Sequence, residues 1–232
     1  MWPRGYSMDQ VKKSGFNKSL EDSARNIPHT PEENLVSLIY HSVDKAADRE
    51  LLSLRNKNGI IPTCKRGCFE CCKQHILINR SEAHALGQFV RRTFSADETD
   101  GLKFRTRQWH DWNDNRIERY PLSGLNQPAD SSGDRPFCPL LVRGSCSAYL
   151  VRPITCRTHF VCSSPSFCRF PDNPAVAKSQ PMTLTSVVTA TNRFSKRLRN
   201  SINKNRSDYS FETMLLPHWL AIEMRWEFAI SI

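Results

Sequence analysis

The chain has 232 residues and a formal charge of +10. That length suffices for a buried core and excludes a miniprotein held together by disulfide staples. No run approaches the ~18 consecutive apolar residues of a membrane span, so no transmembrane helix and no membrane partner are expected.

Residues 1–29 are polar, with scattered Gly, Ser, Asn and Lys and no apolar period. They are predicted to be a poorly ordered segment, with 30–232 as one domain. The opening Met1-Trp2-Pro3-Arg4-Gly5-Tyr6-Ser7 has no apolar signal core, so the expected location is cytoplasmic. Thr30-Pro31-Glu32-Glu33 predicts a helix start: Thr30 as N-cap, Pro31 in the first turn, Glu33 closing a capping box. Leu35, Leu38, Ile39, Val43, Ala46, Ala47, Leu51 and Leu54 follow at helical spacing, and Asn58-Gly59 ends the helix.

Ile60-Ile61-Pro62-Thr63 reads as extended, and His75-Ile76-Leu77-Ile78 as a short apolar segment. A second helix is predicted from Asn79 or Ser81, carrying Ala83, Leu86, Phe89 and Val90. Ser95-Ala96-Asp97-Glu98 is a further capping box, opening a charged helix with Leu102, Phe104, Trp109, Trp112 and Ile117 that ends at Pro121. Residues 121–137, rich in Pro, Gly, Asp and Ser, predict a loop. Residues 138–174 show no sustained period and read as irregular turns. Two more helices are predicted at 183–201 and 211–229. The second carries Leu215, Leu216, Trp219, Leu220, Ile222, Met224, Trp226 and Phe228. The fold expected is mainly α: an irregular single domain of about five helices, with two cysteine-rich loops converging on a metal site.

All nine cysteines fall in those two loops. Cys64, Cys68, Cys71 and Cys72 form the first group; Cys138, Cys146, Cys156, Cys162 and Cys168 form the second. Such density has no packing rationale in an ordinary core. In a reducing compartment it points to thiolates on a soft metal rather than to a disulfide scaffold, and the odd count excludes complete internal pairing. Cys64-x3-Cys68-x2-Cys71 has the spacing that lets a backbone turn around an ion, with Gly67 supplying the turn. Lys65, Arg66 and Lys73 place positive charge beside the sulfurs, favouring thiolate. Cys71 and Cys72, pointing apart in an extended chain, would serve two sites or two sides of one larger cluster; otherwise one of them is a buried apolar thiol.

The second group sits in Arg135-Pro136-Phe137-Cys138-Pro139-Leu140-Leu141, Gly144-Ser145-Cys146-Ser147-Ala148-Tyr149 and Arg152-Pro153-Ile154-Thr155-Cys156-Arg157. With the CKRGCFECC run, these pieces resemble the CxxCxxCC cysteine-cluster family. That family is described as zinc- or iron-chelating, is often labelled iron–sulfur, and includes flagellin lysine N-methylases. The resemblance covers roughly residues 60–168. It implies Cys64, Cys68, Cys71, Cys72, Cys138, Cys146 and Cys156 as metal ligands, with Cys162 or Cys168 as the eighth. Two departures stand out: three residues rather than two separate Cys64 from Cys68, and Leu140 stands where Phe is common.

Arg152-Pro153 forces an extended or turn conformation before Cys156. Tyr149 reads as a packing residue. Arg157 is open between contact with a cluster or an anionic substrate and a surface salt bridge. Among the histidines only His159, between Cys156 and Cys162, is placed to join the ligands.

Spacing does not choose between zinc and iron. Cys138-Pro139 is the step found in bacterial ferredoxin loops. Cys64-x3-Cys68-x2-Cys71 also matches the three-cysteine spacing of radical S-adenosylmethionine enzymes, but alternating strand–helix units do not follow. Four-sulfur zinc would be closed and structural. The reading is a protein chelating zinc or iron, with an iron–sulfur cluster as one form, through about eight thiolates. One alternative is a side-chain-modifying enzyme of the flagellin N-methylase type, although no GxGxxG loop is present. The other is a zinc-stabilised nucleic-acid-binding protein, motivated by the charge and by Arg193, Lys196, Arg197 and Arg199 on one helix. The positive charge suits an acidic or protein partner, and nucleic acid is the weaker option.

Overall fold

The computed structural model describes residues 30–65, 67–119, 135–169, 181–203 and 213–229. The predicted N-terminal segment, most of the 121–137 loop and the stop at Pro121 lie outside them. Among the described residues six helices dominate and strands are few, so the fold is mainly α.

Helix α1 (Pro31–Asn58) begins as its sequence dictates. Thr30 N–H donates to Glu33 Oε2 at 2.8 Å, and Glu33 N–H donates to Thr30 Oγ1 at 3.2 Å. Gly59 ends it at φ 67°, where only glycine avoids a Cβ penalty. The buried stripe is Val36, Ile39, Tyr40, Val43, Ala46 and Ala47. Leu38, predicted on the apolar face, is 54% exposed, because it lies off that i, i+3, i+4, i+7 line.

Strand β1 (Leu77–Asn79) leads into α2 (Arg80–Thr93), which starts at Asn79 in a second capping box with Glu82. Helix α3 (Ala96–Arg119) has its own box: Ser95 N–H donates to Glu98 Oε2 at 2.9 Å, and Glu98 N–H to Ser95 Oγ at 3.2 Å. Leu102 and Trp109 are buried on it, but Phe104 is exposed, contrary to its predicted core role. A hairpin of β2 (Leu141–Val142) and β3 (Ser145–Cys146) follows. Arg143 and Gly144, at φ 50° and 75°, give it the left-handed two-residue turn that matches strand twist. The segment read as irregular thus contains this hairpin, the five-residue helix α4 (Ile154–Thr158) and 3₁₀ turns at Tyr149–Val151 and Pro165–Arg169. Helix α4 is the one that the count of about five lacks.

Helix α5 (Thr185–Asn203) packs along α1. The predicted final helix is corrected. Strand β4 (Thr213–Leu215) pairs antiparallel with β1, Leu215 opposite Leu77, and helix α6 covers only Leu216–Glu223. Pro217 fits only the first helical turn, where its missing N–H costs nothing. Arg225, at φ 54°, closes the other end. Arg225 N–H donates to Ile222 O and Trp226 N–H to Ala221 O, both at 3.0 Å, in a Schellman arrangement.

The largest apolar cluster joins α2, α3, β1, the hairpin and α6, through Ile78, Leu86, Val90, Leu102, Leu140 and Trp219. A second joins α1 to α2, α4 and α5, through Ile39, Val43, Ala85, Ile154 and Leu198. Among the described residues no helix is long and apolar enough to cross a membrane.

Candidate metal centre

Two buried charged side chains fix the loops that carry the cysteines. Glu82, in the first turn of α2, accepts Ile154 N–H at 2.8 Å and Tyr40 O–H at 3.3 Å on Oε1. Its Oε2 accepts Asn79 Nδ2–H at 2.8 Å. One carboxylate therefore ties α1, α2 and the start of α4. Arg157 does the same for the Cys156 loop. It donates to Asp44 Oδ2 at 2.5 Å, to Arg152 O at 2.7 Å and to Leu150 O, and stacks 4.2 Å over Tyr40. Its 6% exposure overturns the surface salt bridge considered from sequence. Its donors are engaged by protein groups, so its charge reaches the thiols only through space.

Cys71 and Cys72 lie in a 3₁₀ turn, Glu70–Lys73, not in extended chain. Their side chains diverge by about a third of a turn, yet the two thiols share a hydrogen bond. The S–H of Cys72 donates to Cys71, which lowers Cys71 to about 7 and raises Cys72. Cys138 N–H donates to Cys72 O at 2.7 Å, seating the start of the second loop on the end of the first. The hairpin and α4 then bring Cys146 and Cys156 to the same apolar cluster that Cys138 touches. Cys72 feels the charges of Cys138, Cys71 and Cys146, and Cys156 those of Cys138, Cys146 and Cys71. Burial pushes Cys138 up to about 12 and raises Cys146 and Cys156 as well. Without metal these sulfurs are neutral thiols packed as small hydrophobes.

The remaining first-loop cysteines, Cys64 and Cys68, neighbour Cys168. The 3₁₀ turn Pro165–Arg169 packs on the Glu70–Lys73 turn and buries Cys168. Burial pushes Cys168 to about 12, and its charged neighbours are Cys71, Cys64, Cys68 and Glu70. Cys64 is raised by burial, neighbours Cys68 and Cys71, and accepts Val161 N–H at 3.4 Å. His159, watched from sequence, has Nε2 4.0 Å from Cys168 Sγ and 3.4 Å from Gln74 Nε2. Burial lowers its pKa, so the ring is neutral, as a ligand must be.

Cys162 stands apart. Its Sγ points to Met182 O at 3.6 Å, and it packs beside Ala47, Leu184 and Val187. Electrostatic interactions thus link eight of the nine predicted ligands to one another, and Cys162 is not among them. All nine are free thiols. Among the described residues no three Cys, His, Asp or Glu side chains are grouped so that they could hold a metal ion.

The donor chemistry fits a soft cation. Cys138 lies beside Arg105, and Arg152 beside Cys71, Cys146 and Cys156. Arg152 Nε is buried without a hydrogen-bond partner, which is the arrangement a nearby thiolate would satisfy. Tyr149, read as a packing residue, is exposed and lies beneath the Arg152 guanidinium at 4.3 Å.

One polar cluster escaped the sequence reading. His110 and His218, far apart in the chain, meet edge to face with ring centroids 4.5 Å apart between α3 and α6. Both are buried and held neutral, His218 at about 4. No local pattern joins these two positions; only the Pro217 turn places them together. Comparison with family models, curated proteins and solved structures finds no match for this chain.

Proposed function

We propose that this protein chelates zinc or iron through cysteine thiolates, with an iron–sulfur cluster as one form of the bound metal. The carrying observation is that three separated chain segments bring eight unpaired thiols around the Glu70–Lys73 turn, beside Arg105 and the partnerless Nε of Arg152. A bound soft metal would supply a closed, charge-neutralising link between those segments. This chain's own residues orient the sulfurs, shield them with the α2–α6 apolar cluster and balance their negative charge.

The test is elemental analysis of protein purified without oxygen. Zinc or iron should co-purify, and absorbance in the thiolate-to-iron charge-transfer region separates the two. Cys68→Ser and Cys71→Ser should each strip metal and lower stability. Full metal content in both variants would refute the ligand assignment.

A further inference from the structure

Helices α1 and α5 run antiparallel: Ala47 packs with Val187, while Ile39 and Val43 pack with Leu198. On one flank of that contact they leave a groove of about 310 Å³, lined by Ala46, Arg49, Glu50, Thr189, Ala190 and Arg193. No cysteine is among those lining residues.

The charge on the two walls is one-sided. Helix α5 carries Arg193, Lys196, Arg197 and Arg199 and has no Asp or Glu. Its apolar positions, Val187 and Leu198, are buried against α1. Arg193, Lys196 and Asn200, at i, i+3 and i+7, therefore share the outward stripe, and all three are exposed. On α1, Lys45 is exposed one turn before Arg49 and on the same side. The α1 acids Asp44 and Asp48, a turn apart from each other, lie on the opposite flank, where Arg157 holds Asp44 at 2.5 Å. Among the residues lining the groove Glu50 alone is acidic.

Pairing distinguishes this flank from ordinary solvated surface. Elsewhere cations are matched: Arg92 with Glu33, Arg91 with Glu223, Lys103 and Arg107 with Glu227. Among the described residues, the side chains of Lys45, Arg49 and Lys196 have no hydrogen bond or ion pair, and Arg193 only stacks on the adjacent Phe194. Like charges gathered without acids repel one another, and a polyanion relieves that repulsion.

We propose that this flank of the α1–α5 contact binds the phosphodiester backbone of nucleic acid, through phosphate contacts from Arg49, Arg193 and Lys196. A guanidinium fork takes two phosphate oxygens, and an ammonium adds a point charge. Asn200 adds a side-chain amide donor on the same stripe. Two helices present the cations as a strip, which matches a repeating polyanion. Phosphate contacts read no bases, so one sequence should bind like another. The surface is separate from the thiols and stands whether or not they hold metal.

The experiment is fluorescence anisotropy of the full-length protein with a labelled DNA duplex of about 20 base pairs, over about 50 to 200 mM salt. Three phosphate contacts predict a log–log slope near −2.7, or roughly a 40-fold loss of affinity across that range. Arg49→Gln, Arg193→Gln and Lys196→Gln should each make the slope shallower by about one. Glu50→Gln removes a carboxylate from the groove and should tighten binding by at least about twofold. Arg107→Gln, a matched cation on α3, should change neither slope nor affinity, and a duplex of permuted sequence should bind equally. Circular dichroism checks that each variant is folded. No binding at about 50 mM salt, or a slope that all three substitutions leave unmoved, overturns the proposal. Competition by poly-glutamate as effective as by unlabelled duplex also overturns it, by making the partner an acidic protein. Displacement by inorganic phosphate at matched ionic strength overturns it as well, by making the groove a small-anion site.

Discussion

Arg157→Met removes the guanidinium that ties the Cys156 loop to α1 while keeping most of the side-chain length. It leaves Asp44 without its cation, and Leu150 O and Arg152 O without their donors. Breaking a buried pair from one side costs about 3–5 kcal/mol. The Asp44 side chain is 21% exposed, so water recovers part of that, and the ion pair contributes at the lower end. The two stranded carbonyls and the lost stacking on Tyr40 each add on the order of 0.5–1 kcal/mol. The expected loss is about 5 kcal/mol, which for a chain of this size is roughly 10–20 °C in Tm. Asp44→Asn keeps an acceptor and should cost only about 1–2 kcal/mol. The double variant should be less destabilised than the sum of the two by at least about 1 kcal/mol. Urea denaturation followed by far-UV circular dichroism, at fixed metal content, measures all three. A loss below about 1 kcal/mol for Arg157→Met, or strict additivity, would show that the contact does not hold the loop.

Acid should weaken the fold through the buried histidine pair. His218 is held at about 4 by burial and by the facing His110, against 6.5 for the free side chain. The unfolded chain therefore takes up a proton first, and stability complete above about pH 6.5 is lost as the pH falls towards 4. The effect is roughly 2 kcal/mol once solvent screening is allowed for. His218→Phe should flatten that part of the pH–stability curve, and an unchanged curve counts against the pair. Gly87→Ala sets helix propensity against sterics: alanine favours α2 by about 1 kcal/mol, but its Cβ would stand 2.9 Å from Glu223 Cβ. The clash should win, with a net loss of about 1 kcal/mol in the same urea assay. A neutral or stabilised variant would mean that α2 and α6 separate without cost.

Helix starts were legible because each capping box is a local event. Thr30/Glu33, Asn79/Glu82 and Ser95/Glu98 bond across three residues, and nothing distant can rewrite them. The last helix was not legible in length, since its apolar run continues past both real ends. What cuts it is β4 pairing with β1, more than a hundred residues away, and a left-handed arginine that no sequence rule requires. The cysteines divide the same way. Their identity as a cluster follows from spacing and composition. The difference between Cys162 and Cys168 does not, because it depends on which of two thiols turns towards the Glu70–Lys73 turn and which towards the α1–α5 contact.

The thiol loops are positioned by groups other than sulfur. Thr63 N–H donates to Val161 O at 2.8 Å, Cys138 N–H to Cys72 O at 2.7 Å, and Leu184 N–H to Phe160 O at 2.8 Å. Glu82 and Arg157 pin α4 from two sides. Each of these bonds is independent of whether a thiol carries a proton or a metal. Binding of the proposed metal would spend little ordering entropy on a backbone held in this way. Burial keeps Cys138 and Cys168 protonated, and a neutral thiol packs like a small apolar group. The proposed metal would displace those protons. The helices supply the scaffold, and these backbone bonds hold the cysteine-bearing segments in place without any contribution from sulfur.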